Sequence, residues 1–431
     1  MGISRRKWMG AGLAGSAAGA LGALGLEAAQ QDAPGAARPL PKAFDSLHPL
    51  GDRVHPITPE EFAARRAKAQ ELMASGQPAL DAIYVTSGTS LYYFTGFHWG
   101  LSERLMAFVL PRKGQPLFVC PMFEKDRLSE LVKMPAEIRA WEEDESPYDL
   151  VVRGLADRGV RTGRVGIEER VPYVFYDGLR RAGTGLECVP AEPVTIGCRG
   201  TKSAAELALM RLACEATVNC YRAVFASLQE GMTERDANNL LRAGFGRMEL
   251  QGGALVLFGQ WAAVPHGTTV PQKLREGDVV LIDGGTTVEG YQSDVTRMTV
   301  LGTPKAEHRR AFDVAHKAQE AALDALRPGR FSGSVDDAAR AVVTGAGYPG
   351  GYKVFTHRLG HGIGLDGHES PYLVRGSKTV LAPGMTFSNE PGIYLKGEFG
   401  MRLEDDMVVA PNGPGQLLTP GFSKSLEQPC G

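Results

Sequence analysis

The stretch that decides the fold is DVVLIDGGTTVEGYQSDVTRMTV, residues 278–300. Apolar residues crowd both ends of it, so it reads as a pair of strands folded into a β-hairpin. Centred between Val288 and Glu289, that hairpin sets Asp283 directly opposite Asp294 on one face. Facing side chains have Cβ atoms about 5 Å apart, and like charges so placed repel. A positive charge is needed between them.

A second pair of strands repeats the arrangement. GMTFSNEPGIYLKGEFGMRLEDDMVV, residues 384–409, turns at Gly397, and the same arithmetic sets Glu390 opposite Glu404. Four facing carboxylates balance the charge of two divalent cations. With a histidine added, they form a ligand set suited to hard or borderline metals. Singly, each piece has an ordinary explanation: an Asp-x10-Asp pair is usually surface, and Glu404 with Asp405 and Asp406 is usually a solvated acidic face. The repetition of the geometry is what argues for a site.

HRLGHGIGLDGHES, residues 357–370, offers the histidines His357, His361 and His368. A helix would put His357 and His361 on one face, as in zinc sites of the H-E-x-x-H type. Gly360, Gly362, Gly364 and Gly367 argue against it, because each costs a helix about 1 kcal/mol relative to alanine. The expectation is a glycine-rich strand, on which His357 and His361 stand about 13 Å apart at roughly 3.3 Å per residue. One metal ligand at most comes from this pair.

These motifs, LIDGGTTVEGYQSDVTR, GHGIGLDGHE, NEPGIY and MRLEDD, resemble in order and spacing the signatures of the pita-bread metallopeptidases, in particular the prolidase and aminopeptidase P branch. The resemblance covers about 230 residues. It implies an α+β chain: a creatinase-type α/β N-terminal domain, then a pita-bread catalytic domain with a curved antiparallel sheet. It implies two divalent metal ions, manganese first, with cobalt, zinc or iron as other choices. Asp283, Asp294, His361, Glu390 and Glu404 would be the ligands, with Asp294 and Glu404 bridging. The implied activity is hydrolysis of Xaa-Pro bonds, in dipeptides or at peptide N-termini, by a metal-bridging hydroxide.

Further roles follow from that chemistry. Glu390 serves as the acid/base, His368 as donor to the oxyanion, and His266 in AVPHGTT near the leaving nitrogen. His357 and Arg402 would line the pocket or bind a substrate carboxylate, the alternatives being a structural role for His357 and orientation of the metal carboxylates by Arg402. The expected partner is a peptide with proline after the scissile bond, and a homodimer is implied. Relatives of this fold include creatinase, binding-only chromatin factors and a lyase. The first two are disfavoured by suitable residues at all five ligand positions, the last by Gly285, where an acidic residue would be expected.

The rest of the chain sets the frame. Its 431 residues suffice for two domains, and a net charge of −2 with 22% charged residues gives no sign of nucleic-acid binding. The six cysteines have no C-x-x-C spacing. SRRKWMG carries adjacent Arg5 and Arg6, followed by an uncharged run from Trp8 to Leu26. That order resembles a twin-arginine export signal, expected over residues 1–29, and implies an extracytoplasmic enzyme.

Residues 30–57, rich in proline and alanine, read as a linker. The N-terminal domain is expected over 58–198, from a capping box at Thr58 and Glu61 and with SLYYFTGF as its family-like segment. The catalytic domain is expected over 199–431, opening with a capping box at Ser203 and Glu206. Within it, two helices followed by two strands occur twice, which suggests an internal duplication.

Overall fold

The computed structural model of the protein describes residues 39–431. The expected signal and the first part of the expected linker, 30–38, lie outside the described residues. The remainder of that linker does not behave as one. Two 3-10 turns, Lys42–Ser46 and Gly51–Arg53, carry Phe44 and Leu47 into a core with Ala216, Tyr221 and Phe245. Two apolar anchors hold an otherwise proline-rich segment down. Among the described residues no helix is long and apolar enough to cross a membrane.

Six short strands come first: β1 (Ala82–Val85), β2 (Ala107–Pro111), β3 (Leu117–Pro121), β4 (Glu137–Trp141), β5 (Gly163–Ile167) and β6 (Leu186–Pro190). They form one mixed sheet in the order β4-β3-β2-β1-β5-β6. Between and around them run α1 (Pro59–Ser75), α2 (Thr89–Thr95), α3 (Lys125–Leu131), α4 (Pro147–Asp157), α5 (Tyr173–Ala182) and α6 (Glu192–Arg199).

The sheet is apolar on both faces because alternate residues face opposite ways. Ile83, Val85, Phe108 and Phe118 pack with α1, α2 and α6. Tyr84, Val109, Leu117 and Val119 pack with α4 and α5. The first of these cores does not stop at the domain edge. It continues into Leu209, Met210, Cys214, Tyr291, Ile363 and Leu365, so the two halves of the chain share apolar packing.

The second half opens with α7 (Ala204–Phe225) and α8 (Glu234–Arg247). Helix α7 starts in the expected capping box: the Glu206 amide donates to Ser203 Oγ at 3.2 Å, and Glu206 Oε2 accepts from the Ser203 amide at 2.8 Å. At α1 the reciprocal half is missing. Thr58 caps, but the Glu61 carboxylate instead accepts from Ser203 Oγ at 2.6 Å and from Arg65 at 3.1 Å, tying the two halves together.

Strands β7 (Gly252–Phe258), β8 (Val279–Val288), β9 (Tyr291–Gln292) and β10 (Val295–Val300) follow. Then come α9 (Ala306–Ala325) and α10 (Ser332–Gly345), and a second set of strands. These are β11 (Gly360–Gly362), β12 (Glu369–Leu373), β13 (Thr386–Asn389), β14 (Gly392–Leu395), β15 (Phe399–Arg402), β16 (Asp405–Val408) and β17 (Gln416–Leu417). A helix pair followed by strands thus occurs twice.

The pairings among these strands are antiparallel, in sheets β10-β8-β7 and β12-β11-β13-β16-β17 with a separate β14-β15 pair. Along β8, Val280 and Ile282 pack with α7 and α8, whereas Val279 and Leu281 pack with α9 and α10. Asp283 continues the second row.

Candidate metal centre

The centre lies where these sheets meet. In the first hairpin Val288 pairs with Tyr291 and Asp283 with Thr296, so the turn is Glu289-Gly290 and the register is two residues away from the expected one. Asp283 faces Thr296, not Asp294. A shift of two leaves every side chain on its face, so Asp294 remains beside Asp283 rather than opposite it. Gly284 makes the approach of β7 feasible: its φ is +152°, and a Cβ there would lie 2.5 Å from the Gly253 carbonyl oxygen.

The second hairpin has the expected register. Asn389 pairs with Asp405 and Gly392 with Arg402, which leaves Glu390 opposite Glu404 in the gap between those pairs. Thr296 and Glu404 then form an isolated bridge that joins the two hairpins. The row Asp283, Thr296, Glu404, Glu390 crosses from one hairpin to the other.

The third component is β11, and it is shorter than expected. The strand covers Gly360–Gly362 alone, and His357 lies in a bend before it. A single extended strand carrying both histidines is therefore not formed, and both side chains come near one carboxylate: His357 Nδ1 lies 3.8 Å from Glu390 Oε2, and His361 Nε2 lies 3.4 Å from Glu390 Oε1. The glycines admit close neighbours. A Cβ on Gly360 would lie 2.0 Å from the Ser388 carbonyl oxygen, and one on Gly362 2.6 Å from that of Glu369.

Two groups of possible ligand atoms result, Asp283 with Asp294 and Glu404, and His361 with Glu390 and Glu404. Within each group the atoms lie within 4.8 Å of one another. Glu404 belongs to both. A third group joins Asp294 and His361 to His368. The ring of exposed His368 stacks on that of buried His361, with centroids 3.6 Å apart and 16° between planes.

Hydrogen bonding fixes which atoms face the cluster. His361 Nδ1 is 3.1 Å from the Gly362 carbonyl oxygen, to which it donates, leaving Nε2 as a lone-pair donor toward the carboxylates. His357 Nδ1 likewise donates to the Arg358 carbonyl at 2.7 Å, and its Nε2 accepts from the Tyr394 hydroxyl at 2.7 Å.

Arg402 is buried and occupied throughout. It contacts Asp283 Oδ2, Tyr394 Oη at 3.0 Å, the Pro265 carbonyl at 3.0 Å and Thr296 Oγ1 at 3.3 Å. These four contacts tie Arg402 to the carboxylate framework and to the Pro265 loop, and a substrate carboxylate, the role expected of it, would fall to its one remaining N–H. His266 follows Pro265 in an exposed loop, and the Arg402 contact holds that loop at the edge of the centre.

The electrostatics show what the centre lacks. Burial raises the Asp294 and Glu404 carboxyls well above their usual range, and the neighbouring carboxylates add to the rise. Glu390 is pushed up to about 8, mainly by burial. Asp283 alone is lowered: burial acts to raise it, but the Arg402 guanidinium and hydrogen bonds outweigh that. Burial takes His361 down to about 3, keeping its imidazole neutral.

Thr296 Oγ1 has one proton for two carboxylate oxygens, Asp283 Oδ1 at 2.8 Å and Glu404 Oε2 at 2.6 Å. Four carboxylates, Glu404 buried and Asp283, Asp294 and Glu390 partly so, share one guanidinium and repel one another. A neutral imidazole and oxygen donors in overlapping groups fit divalent cations.

Residues within the motifs other than the expected site residues also shape the centre. Tyr394 links His357 to Arg402, Thr296 links the hairpins, and the Asp406 carboxylate accepts from the Asp294 amide at 3.0 Å. Nothing in their spacing distinguishes them from ordinary strand residues.

Residues 208–411 match the model of metallopeptidase family M24, and residues 65–200 that of the creatinase/prolidase N-terminal domain. The chain is 35% identical over 362 residues to "Probable dipeptidase PepE" of Mycobacterium tuberculosis, covering 82% of this chain and 93% of that protein. The crystal structure of dipeptidase PepE from Mycobacterium ulcerans has a TM-score of 0.78 at 34% identity, over 85% of this chain and 98% of that one. That of recombinant prolidase from Thermococcus sibiricus has a TM-score of 0.75 at 30% identity, over 84% and 97%. With a creatinase-type N-terminal domain in front of a catalytic domain whose family normally binds divalent metals, the chain belongs to metallopeptidase family M24.

Proposed function

We propose that this metallopeptidase hydrolyses dipeptides, Xaa-Pro dipeptides foremost, with two divalent ions held by Asp283, Asp294, His361, Glu390 and Glu404. The observation that carries the reading is the sharing of Glu404 between two ligand groups. Manganese suits a set of four carboxylates and one imidazole, and cobalt, zinc or iron are compatible with it. Bound there, the ions would supply an activated water and a Lewis acid for the scissile carbonyl.

The chain's own residues do the rest. Glu390, whose carboxylate oxygens lie 3.4 Å from His361 Nε2 and 3.8 Å from His357 Nδ1, would take up and return the proton moved in the reaction. His368 is exposed and stacked on His361, where it can donate to an oxyanion. His266, on the loop steadied by Arg402, would attend the leaving nitrogen. Arg402 orients Asp283, and His357 fixes the Tyr394 hydroxyl at the pocket wall.

The names of the relatives, dipeptidase and prolidase, support short substrates and proline after the scissile bond. An imide bond to proline has no N–H, and this donor set does not depend on one. We further propose export by the twin-arginine route, on the strength of Arg5, Arg6 and the uncharged run after them.

Hydrolysis of Gly-Pro, Ala-Ala and a longer Xaa-Pro peptide by one metal-analysed sample tests the substrate reading. Fastest turnover on Gly-Pro supports it. Faster cleavage of Ala-Ala or of the longer peptide would refute the stated preference.

A further inference from the structure

We infer that Arg199 is a positioning residue for His368, through which the N-terminal domain sets the turnover of the catalytic domain. The inference rests on the role proposed for His368.

Residues 363–368 join β11 to β12, which begins at Glu369. His368 is flanked by Asp366, two residues before, and Glu369, one after. Both carboxylates are engaged at the domain boundary. There one guanidinium takes both: Arg199 Nη2 lies 2.5 Å from Asp366 Oδ2 and 2.6 Å from Glu369 Oε2. Arg199 ends α6, and its side chain is 5% exposed. The other oxygen of Glu369 meets Lys202 Nζ at 2.5 Å. The other oxygen of Asp366 accepts from Thr89 Oγ1 at 2.6 Å and from Arg170 at 2.8 Å. Thr89, Arg170 and Arg199 all lie within residues 65–200, the span that matches the N-terminal domain and runs two residues past the boundary expected at 198.

The catalytic domain holds the same segment from the opposite side. The Gln292 amide donates to the Gly364 carbonyl at 2.8 Å, and Gln292 Nε2 to that of Leu365 at 2.8 Å. The segment is also tightly packed: a Cβ on Gly364 would lie 2.7 Å from Lys202 Cε. With its backbone and both carboxylates fastened, the histidine side chain between them is left exposed. A buried ion pair is poor evidence for stability, but it does specify position, because charges removed from water tolerate few alternative arrangements. The guanidinium is itself held from within the N-terminal domain, since Arg199 Nη1 donates to Ser90 Oγ at 3.2 Å while Nη2 serves both carboxylates.

The experiment uses full-length, metal-loaded enzyme and the fastest-cleaved member of a dipeptide panel containing Gly-Pro and Ala-Ala. If positioning is lost, Arg199→Met lowers kcat on the order of 100-fold, the penalty of a misplacement of about 1 Å. KM and metal stoichiometry stay near wild type, and Arg199→Lys recovers part of the rate. Because Arg199 acts through His368, the double variant Arg199→Met/His368→Ala is no slower than His368→Ala alone.

Wild-type kcat in Arg199→Met, or an effect that multiplies with that of His368→Ala, overturns the positioning claim and leaves the role of His368 standing. Wild-type kcat in His368→Ala itself removes that role, and the inference with it. Should Arg199→Met fail to fold, Arg170→Met removes a half-exposed donor to Asp366. It is expected to lower kcat several-fold with thermal stability kept, and an unchanged kcat there overturns the claim.

Discussion

Thr296 and Glu404 are paired backbone to backbone, with the Glu404 amide 3.1 Å from the Thr296 carbonyl and the Thr296 amide 3.3 Å from that of Glu404. Through this contact the carboxylates of two hairpins, more than a hundred residues apart in sequence, occupy one row. The Thr296 hydroxyl lies between Asp283 and Glu404 in the same row.

Thr296→Val keeps the shape of that residue and removes its hydroxyl. Metal affinity is expected to fall about 10- to 100-fold, the usual effect of losing a group that orients ligands, while the chain stays folded. Titration of the metal-free enzyme with Mn²⁺ measures it, and wild-type affinity would refute the role given to Thr296.

Arg402→Met separates orientation of carboxylates from recognition of substrate. The contacts of Arg402 with Asp283, Thr296 and Tyr394 predict loss of metal and uniformly poor turnover on every peptide. A raised KM for Gly-Pro with metal retained would show substrate recognition instead.

Much of this centre was legible in the sequence, for a reason visible in its turns. Gly397, at φ +85°, marks the second hairpin without ambiguity, and the register drawn from it is the observed one. The first hairpin turns on Glu289 at φ 50° and Gly290 at φ +82°, a two-residue turn with both central residues at positive φ. Glutamate is uncommon there, which concealed the turn and displaced the expected register by two. The period of two kept the ligand face correct all the same.

Other features had no periodic signal. The segment 39–57 is composed like a linker, yet Phe44 and Leu47 are buried in the core of the second half, and isolated apolar residues among prolines carry no periodic signal. His357 comes close to Glu390 because the chain bends before β11, and local spacing does not encode such a bend. The grip of Arg199 on Asp366 and Glu369 joins residues more than 160 apart, beyond the reach of any motif.

Acid should loosen the boundary between the domains. Burial acts to raise the Asp366 carboxyl, but Arg199 and the Thr89 hydroxyl more than offset this, so it is held below the usual range. A group depressed on folding stabilises the fold above its unfolded pKa, about 3.9 for aspartate, and this contribution is lost as pH falls through the folded value. From pH 5 to pH 3 the wild type should therefore lose more thermal stability than Asp366→Asn. Equal losses would contradict the assignment.

Export gives a prediction in the cell. Replacement of Arg5 and Arg6 by lysine should retain active enzyme in the cytoplasm of its host, as judged by fractionation with a dipeptidase assay. Unchanged fractionation would remove the twin-arginine proposal and leave the enzymology intact.

The central claim is a pair of metal ions sharing Glu404, and metal analysis of Glu404→Gln alongside wild type tests it most directly. The prediction is two equivalents of divalent metal per wild-type chain, and in the folded variant a loss from both positions together with loss of dipeptide hydrolysis. Two equivalents retained with full turnover in Glu404→Gln, or one equivalent in fully active wild type, would contradict it.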